Sequence, residues 1–232
     1  MSDVMDEWRR GWRTVASGCC GMMMLGATSI ATGIVMGPLV EDYGWSRAVI
    51  SASVFITAAL QLLLAPVAGG IIARWGTRRY ALASAVAAGP ALLLVAGSGP
   101  SEASWFAAWL MFGVVSVGLS ALVWSTAWMT LFDRARGLAG AVALSGSGLA
   151  YLVFPPVAVF MTEHYGWRSV YVLLSFSAIA LLLPLLLLWF KEPGDLTKID
   201  KADRQSADNG LAPTPVTGFS LREALSLRQF WQ

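Results

Sequence analysis

Charged side chains are scarce in this sequence of 232 residues: 13% are Asp, Glu, Lys or Arg, against about 25% in soluble domains. Six stretches of 22 to 30 residues contain none of these residues and no histidine, and they cover residues 14–40, 48–73, 80–101, 103–132, 137–162 and 169–190. A helix needs about 20 apolar residues to cross a bilayer, and every stretch is long enough. This distribution excludes a soluble enzyme, a disordered chain and a nucleic-acid-binding domain.

Groups that hold metals or form disulfides are also nearly missing. The two cysteines, Cys19 and Cys20, are neighbours and would point about 100° apart on a helix, so we predict that they are small apolar packing residues. The single histidine, His164, follows the fifth stretch. No phosphate-binding loop of the G-x-x-x-x-G-K-[ST] type occurs, which excludes ATP-driven pumping by this chain. We expect no enzyme activity, no metal and no cofactor.

The charge-free stretches predict an all-α integral membrane protein with six transmembrane helices. Backbone N–H and C=O groups inside the hydrocarbon must form hydrogen bonds with one another, which only helices and closed barrels allow. The stretches lack the alternation of apolar and polar residues that barrel strands show, so we predict helices. One set of loops carries 14 of the 16 Lys and Arg, so the positive-inside rule places these loops and both termini in the cytoplasm. We divide the chain into a cytoplasmic N-terminus, a six-helix bundle, a cytoplasmic linker and the start of a truncated seventh helix: residues 1–13, 14–190, 191–218 and 219–232.

Two basic loops stand out on the predicted cytoplasmic side. The first reads Gly69-Gly-Ile-Ile-Ala-Arg-Trp-Gly-Thr-Arg-Arg79. Gly76 permits a tight turn, and the arginines hold the loop inside, which leaves a simple topology anchor as the alternative to a functional loop. The second loop contains Arg136 and reads Leu131-Phe-Asp-Arg-Ala-Arg-Gly-Leu-Ala-Gly140.

Small residues and tryptophans recur at informative positions. Gly33 and Gly37 in the first stretch, and Ala141, Ser145 and Gly148 in the fifth, predict seams where helices pack closely, with ligand contact as the alternative. Five tryptophans lie near the ends of stretches, where an aromatic belt is expected: Trp12, Trp45, Trp105, Trp167 and Trp189.

Polar and aromatic residues near the middle of the stretches, Gln61 among them, are the candidates for contact with a solute. On a regular helix, a four-residue repeat in the fourth stretch would share one face within about 120°: Ser116, Ser120, Trp124 and Trp128. The alternatives are that the hydroxyls bond to their own helix and that Gln61 bonds to a neighbouring helix.

These motifs carry a resemblance to a known family. The first basic loop resembles the inner-loop signature of the major facilitator superfamily, G-x-x-x-D-R-x-G-x-R-R, with Ala73 at its acidic position. The second basic loop, Tyr43-Gly-Trp-Ser-Arg47 and Tyr165-Gly-Trp-Arg168 are similar to the monocarboxylate and oxalate/formate antiporter branch. The resemblance implies the N-terminal half of a twelve-helix fold.

The resemblance implies a secondary active transporter of small organic anions, of monocarboxylate or dicarboxylate type, working by alternating access. The substrate-contacting residues would be Trp124, Tyr151, Gln61, Thr28, Thr32 and Ser120. The gating residues would be Arg74, Gly76, Arg78, Arg79 and Arg136. The expected partners are the organic anion, the lipid bilayer and a missing C-terminal half, or a second copy if the chain is complete. The expected location is a plasma membrane, specifically a bacterial inner membrane. The alternative is a non-transporting assembly or sensor subunit with six helices.

Overall fold

Six helical spans make up the part of the chain that the structure describes, residues 2–190 of a computed structural model. Each span is long and apolar enough to cross a membrane: Val4–Ile34, Arg47–Trp75, Thr77–Ala96, Glu102–Met129, Arg136–Tyr165 and Arg168–Trp189, called spans 1 to 6 below. The prediction of an all-α membrane protein with six transmembrane helices is therefore confirmed.

The described residues form nine α-helices, because spans 4 and 6 are each built from two helices and the short helix α2 follows span 1. The helices are α1 Ser2–Ile34, α2 Met36–Tyr43, α3 Arg47–Trp75, α4 Thr77–Ala96, α5 Glu102–Ser116, α6 Ala121–Leu131, α7 Arg136–Tyr165, α8 Arg168–Ser177 and α9 Leu183–Trp189. A 3-10 turn at Val117–Leu119 joins α5 to α6 in span 4. A π-helical segment at Ala178–Leu182 joins α8 to α9 in span 6.

The first helix starts earlier than the charge pattern indicates. Helix α1 begins at Ser2, so residues 2–13 continue the first span as regular helix. Their cytoplasmic position stays a prediction. The predicted linker (191–218) and the predicted start of a seventh helix (219–232) lie outside the described residues.

The ends of the spans follow from local residue chemistry. Ser46 caps α3, and its hydroxyl accepts a hydrogen bond from the backbone N–H of Val49 at 3.3 Å, as N-capping serines do. Gly76 alone separates α3 from α4 with φ 86° and ψ 153°. Only glycine adopts this backbone conformation readily, so Gly76 fixes the tight turn within the first basic loop.

Close packing between spans 1 and 5 forms the central seam of the bundle. A Cβ atom on Gly146 would overlap the carbonyl oxygen of Cys19, and one on Gly26 would lie 3.0 Å from the Cβ atom of Ala150. Ala143 is fully buried on the same face. Small residues let the two backbones approach, and at Gly146 no other residue fits.

Of the small residues predicted to form packing seams, only Ser145 meets a neighbouring span in the described part of the chain. Nothing lies within 4 Å of a Cβ atom built on Gly33, Gly37 or Gly148, and Ala141 and Ser145 are exposed. Gly33, Gly37, Ala141 and Gly148 occupy the outward faces of spans 1 and 5, whereas the Ser145 side chain reaches the Cys19 thiol of span 1. Small residues three or four positions apart do lie on one face of a helix, but this spacing does not indicate whether that face contacts a neighbouring helix.

Candidate functional site

A cavity of about 370 Å3 opens between spans 1, 2, 4 and 5. This volume is at the lower end of the range for small-molecule sites. None of the described residues that line it carries a charge at neutral pH. The lining is Met22, Leu25, Gly26, Thr28, Ser29, Val54, Thr57, Ala58, Gln61, Trp109, Phe112, Ser147 and Tyr151.

Three of the predicted substrate-contacting residues line this cavity. Thr28 lies on span 1, Gln61 on span 2 and Tyr151 on span 5. Tyr151 is 63% exposed, so most of its side chain is not covered by other described residues. The structure therefore brings together residues that are up to 123 positions apart in the sequence.

The remaining three predicted residues do not line the cavity. Thr32 is buried and donates its hydroxyl hydrogen to the carbonyl oxygen of Thr28 at 3.2 Å, with the Tyr171 hydroxyl 3.4 Å away. Ser120 is half-buried and donates to the carbonyl oxygen of Val117 at 2.7 Å. Trp124 lies in the core with no exposed surface. Their contact with a substrate stays a prediction, and the geometry gives each of them an internal partner.

Gln61 links spans 2 and 4 at the cavity wall. Its side-chain Nε2 donates a hydrogen bond to Ser116 Oγ at 3.0 Å, and that hydroxyl donates to the carbonyl oxygen of Gly113 at 2.8 Å. The helices approach closely here, because a Cβ atom on Gly113 would lie 2.6 Å from Leu60 Cδ1. This hydrogen bond holds the Gln61 amide at a fixed place in the cavity wall.

The helix of span 4 is interrupted next to the hydrogen bond between Gln61 and Ser116. This interruption changes the direction in which the predicted polar and aromatic residues of the span point. The chain passes through the 3-10 turn, and Ser120 is extended with φ −74° and ψ 165°. The regular advance of 100° per residue stops there, so the predicted single face from Ser116 to Trp128 does not form. Discontinuous helices are typical of transporter binding sites.

Trp124 supplies a hydrogen bond that the interrupted helix of span 4 lacks. Its indole Nε1 donates to the carbonyl oxygen of Leu119 at 2.7 Å, an oxygen that the interrupted helix leaves without a regular helical partner. The ring fills the space above Gly21, where a Cβ atom would overlap it, and meets Phe190 at 5.8 Å between ring centroids. Trp124 thus packs spans 1, 4 and 6 together.

The predicted gating residues in the first basic loop have different surroundings. Arg78 Nη2 donates to the carbonyl oxygen of Leu187 at 2.8 Å, which ties the start of span 3 to the end of span 6. Arg74 and Arg79 are exposed, and Gly76 makes the turn between them. The structure brings these four residues together at one end of the bundle.

The fifth predicted gating residue, Arg136, starts span 5 at that same end. Its Nε donates to the carbonyl oxygen of Phe132 at 2.5 Å, and its Nη2 pairs with Asp133 Oδ1 at 2.6 Å. The carboxylate of Glu7, from α1, accepts the backbone N–H groups of residues 133–135 at 3.1 to 3.4 Å. Residues 2–13 are thus attached to the second basic loop, a contact that the sequence did not suggest.

The opposite end holds an aromatic cluster instead of the expected interfacial belt. Trp45, Trp105 and Trp167 are buried, and Trp105 lies 5.7 Å from Trp45 and 6.2 Å from Trp167 between ring centroids. The two Tyr-Gly-Trp loops meet here, because Trp167 Nε1 donates to Asp42 Oδ2 at 3.1 Å. For these three tryptophans the belt interpretation is wrong.

Ten of the thirteen residues that line the cavity were not predicted from sequence, and two of these ten are aromatic, Trp109 and Phe112. Both are buried and lie three positions apart on α5, so they share a face. A stretch as apolar as the fourth gives no contrast between the faces of its helix, so periodicity could not have found them.

Comparison with known proteins identifies the family. The sequence model that describes the Major Facilitator Superfamily matches residues 17–231 of the chain. The chain belongs to the Major Facilitator Superfamily. This facilitator has the six spans, the broken fourth span and the basic loops described above, and it is a multi-pass membrane protein of a family of small-molecule transporters.

Three curated relatives resemble this facilitator at moderate identity. An uncharacterised MFS-type transporter of Bacillus subtilis, YcxA, is 27% identical over 68% of the chain and 39% of its own length. Human monocarboxylate transporter 11 is 30% identical over 67% of the chain and 31% of its own length, and the mouse protein is 29% identical over 58% and 28%. The chain spans less than two fifths of each relative.

Proposed function

We propose that this facilitator is part of a secondary active transporter of small organic anions, of monocarboxylate or dicarboxylate type, that works by alternating access. The cavity beside the break in span 4 supports the proposal, because it places Thr28, Gln61 and Tyr151 around one small-molecule-sized space. The two relatives named as monocarboxylate transporters favour an organic anion.

The uncharged lining indicates that another part of the transporter pairs with the anion's charge. Burying an unpaired carboxylate costs several kcal/mol or more. We therefore infer that a C-terminal half, or a second copy of this chain, completes the site. The outward face of span 2 is apolar, since Phe55, Leu62 and Leu63 are 71 to 77% exposed, as a face in contact with lipid or with the rest of the transporter would be.

The basic end of the bundle is the proposed cytoplasmic gate. Arg74, Arg78 and Arg79 lie around the turn at Gly76, and Arg136 lies at the start of span 5. The positive-inside rule supports a cytoplasmic place for these residues and for both termini in a plasma membrane. Ala73 stands where the family signature has an acidic residue, so we expect the gate to close without that carboxylate.

The proposal predicts that Tyr151→Phe and Gln61→Leu weaken transport, whereas Tyr165→Phe does not. Each of the first two variants removes one hydrogen-bonding group from the cavity, which raises KM about tenfold when that group contacts the substrate. Tyr165 is a matched control, since it is on the same helix and 69% exposed but does not line the cavity.

The measurement is counterflow of radiolabelled acetate, phenylacetate and oxalate in liposomes that contain the protein encoded by the complete gene. We expect at least one carboxylate to exchange, with KM raised in the two cavity variants. Absence of counterflow for all three would favour the alternative of a non-transporting subunit. Unchanged KM in both cavity variants would remove these residues from the site.

A further inference from the structure

Two aromatic side chains form one wall of the cavity, and the proposed function assigns them no part. Trp109 and Phe112 are each 1% exposed, and their ring centroids are 5.7 Å apart with the planes at 88°. Both rings line the cavity together with residues of spans 1, 2 and 5. Edge-to-face pairs of this kind are stabilising beyond their buried area.

This wall is held in place before any substrate arrives. Trp109 contacts Trp105 at 5.7 Å and Tyr171 at 6.1 Å between ring centroids. Tyr171 is itself buried and within 3.4 Å of the Thr32 hydroxyl. A wall that is already ordered loses little conformational entropy when a ligand binds, and it discriminates by shape.

The polar groups of the cavity are few, because most of them are occupied within the bundle. The hydroxyl hydrogens of Thr28, Thr57 and Ser147 are donated to backbone carbonyl oxygens of their own helices. Among the described residues, the hydroxyls of Ser29 and Tyr151 and the side-chain oxygen of Gln61 have no hydrogen-bond partner. The cavity therefore offers an apolar wall and a few neutral polar groups.

This chemistry separates the two classes of anion that the proposed function leaves open. A small dicarboxylate such as oxalate has two charges and no apolar part, so it would be desolvated here without compensation. A monocarboxylate with an apolar body places that body against the rings and leaves its single charge directed away from this wall. Each apolar group that is buried against the rings strengthens binding.

We propose that Trp109 and Phe112 are specificity-determining residues that select a monocarboxylate with a ring-sized apolar body. This inference rests on the proposed function and narrows its substrate class. The proteoliposome counterflow assay measures it as a ratio of KM values for phenylacetate and acetate. We expect phenylacetate to have a KM at least about tenfold lower than that of acetate, and oxalate to be the poorest of the three.

Substitutions at the two wall residues should change the preference among carboxylates of different size, and each in its own direction. Phe112→Leu removes a ring and should reduce the preference for phenylacetate over acetate about fivefold or more. Trp109→Phe enlarges the cavity and should favour 2-naphthylacetate over phenylacetate by a similar factor. A gain for the larger anion cannot arise from misfolding.

Trp105→Phe is the matched control for Trp109→Phe. Both indoles are buried, and neither Nε1 atom has an acceptor among the described residues. The two rings are in contact, but Trp105 does not line the cavity. We therefore expect Trp105→Phe to change the substrate ratios much less than Trp109→Phe does, because it acts on the cavity only through Trp109.

The outcomes distinguish this inference from the proposed function. Counterflow of acetate or oxalate with no preference for phenylacetate would overturn the inference and leave organic-anion transport standing. Wall variants with unchanged ratios, or a control that changes them equally, would also overturn it. Absence of counterflow for every carboxylate would overturn both.

Discussion

Gly146→Ala should destabilise the protein strongly, although it adds only one methyl group. The added Cβ atom would overlap the carbonyl oxygen of Cys19 on the facing helix, and a backbone oxygen cannot rotate away as the end of a side chain does. Overpacking of this kind costs about 1–3 kcal/mol or more. We expect the Tm of the purified protein to fall by about 5 °C or more.

Gly148→Ala, two positions along the same helix, should have the opposite sign. Nothing lies within 4 Å of a Cβ atom at this position, and alanine favours a helix over glycine by about 1 kcal/mol. Its Tm should be unchanged or slightly higher. Equal losses in the two variants would contradict the packing of spans 1 and 5 described above.

Trp124→Ala should produce the largest loss of stability among the substitutions considered. The side chain is completely buried, fills the space over Gly21 and donates to Leu119 at the break in span 4. Removing a buried tryptophan costs about 3–5 kcal/mol, so the Tm measured without substrate should fall by about 10 °C.

Trp75→Ala is the control, because Trp75 is 61% exposed and such surface substitutions usually change stability by about 0.5 kcal/mol or less. A substrate contact without a packing role would leave the Tm of the empty protein unchanged in Trp124→Ala. That outcome would return Trp124 to the substrate site.

The six spans were predictable from sequence because a charged side chain is unfavourable at every position that lies in the hydrocarbon. The distribution of charged residues therefore marks the spans with little ambiguity. The family was predictable for a different reason, since its signature lies in a short loop where Gly76 makes the turn and arginines stand at fixed positions around it. Ala73 shows that one departure leaves such a signature recognisable.

The candidate site was predictable only in part, because contrast between helix faces is weak in an apolar span. Gln61 and Tyr151 were found since a polar atom in the middle of a span is conspicuous. Trp109 and Phe112 were missed since they are apolar residues among apolar residues. Trp124 was assigned to a cavity-lining stripe on the assumption of a regular helix, and the break at Ser120 removes that assumption.

The glycine pairs show a further limit of sequence patterns. Gly33 and Gly37 have the spacing of a packing seam but face outward among the described residues, whereas Gly146, with Ala150 four positions after it, lies directly against the backbone of Cys19. Which face of a helix is buried depends on the neighbouring helices, and the spacing within one helix does not contain that information.

The most direct test of the account is whether a transported carboxylate protects the cavity from chemical modification. Ser29 lines the cavity and is exposed, so Ser29→Cys, with both native cysteines replaced by alanine, places one thiol there. Ser145→Cys is the control, because Ser145 is exposed on span 5 and does not line the cavity. N-ethylmaleimide crosses the bilayer, so the rate of labelling in proteoliposomes does not depend on orientation.

At ten times Kd, acetate or phenylacetate should slow the labelling of Ser29→Cys about tenfold and leave Ser145→Cys unaffected. This result would place the carboxylate in the cavity between spans 1, 2, 4 and 5. If counterflow proceeds while saturating carboxylate leaves the labelling of Ser29→Cys unchanged, the substrate passes elsewhere and the central claim is wrong.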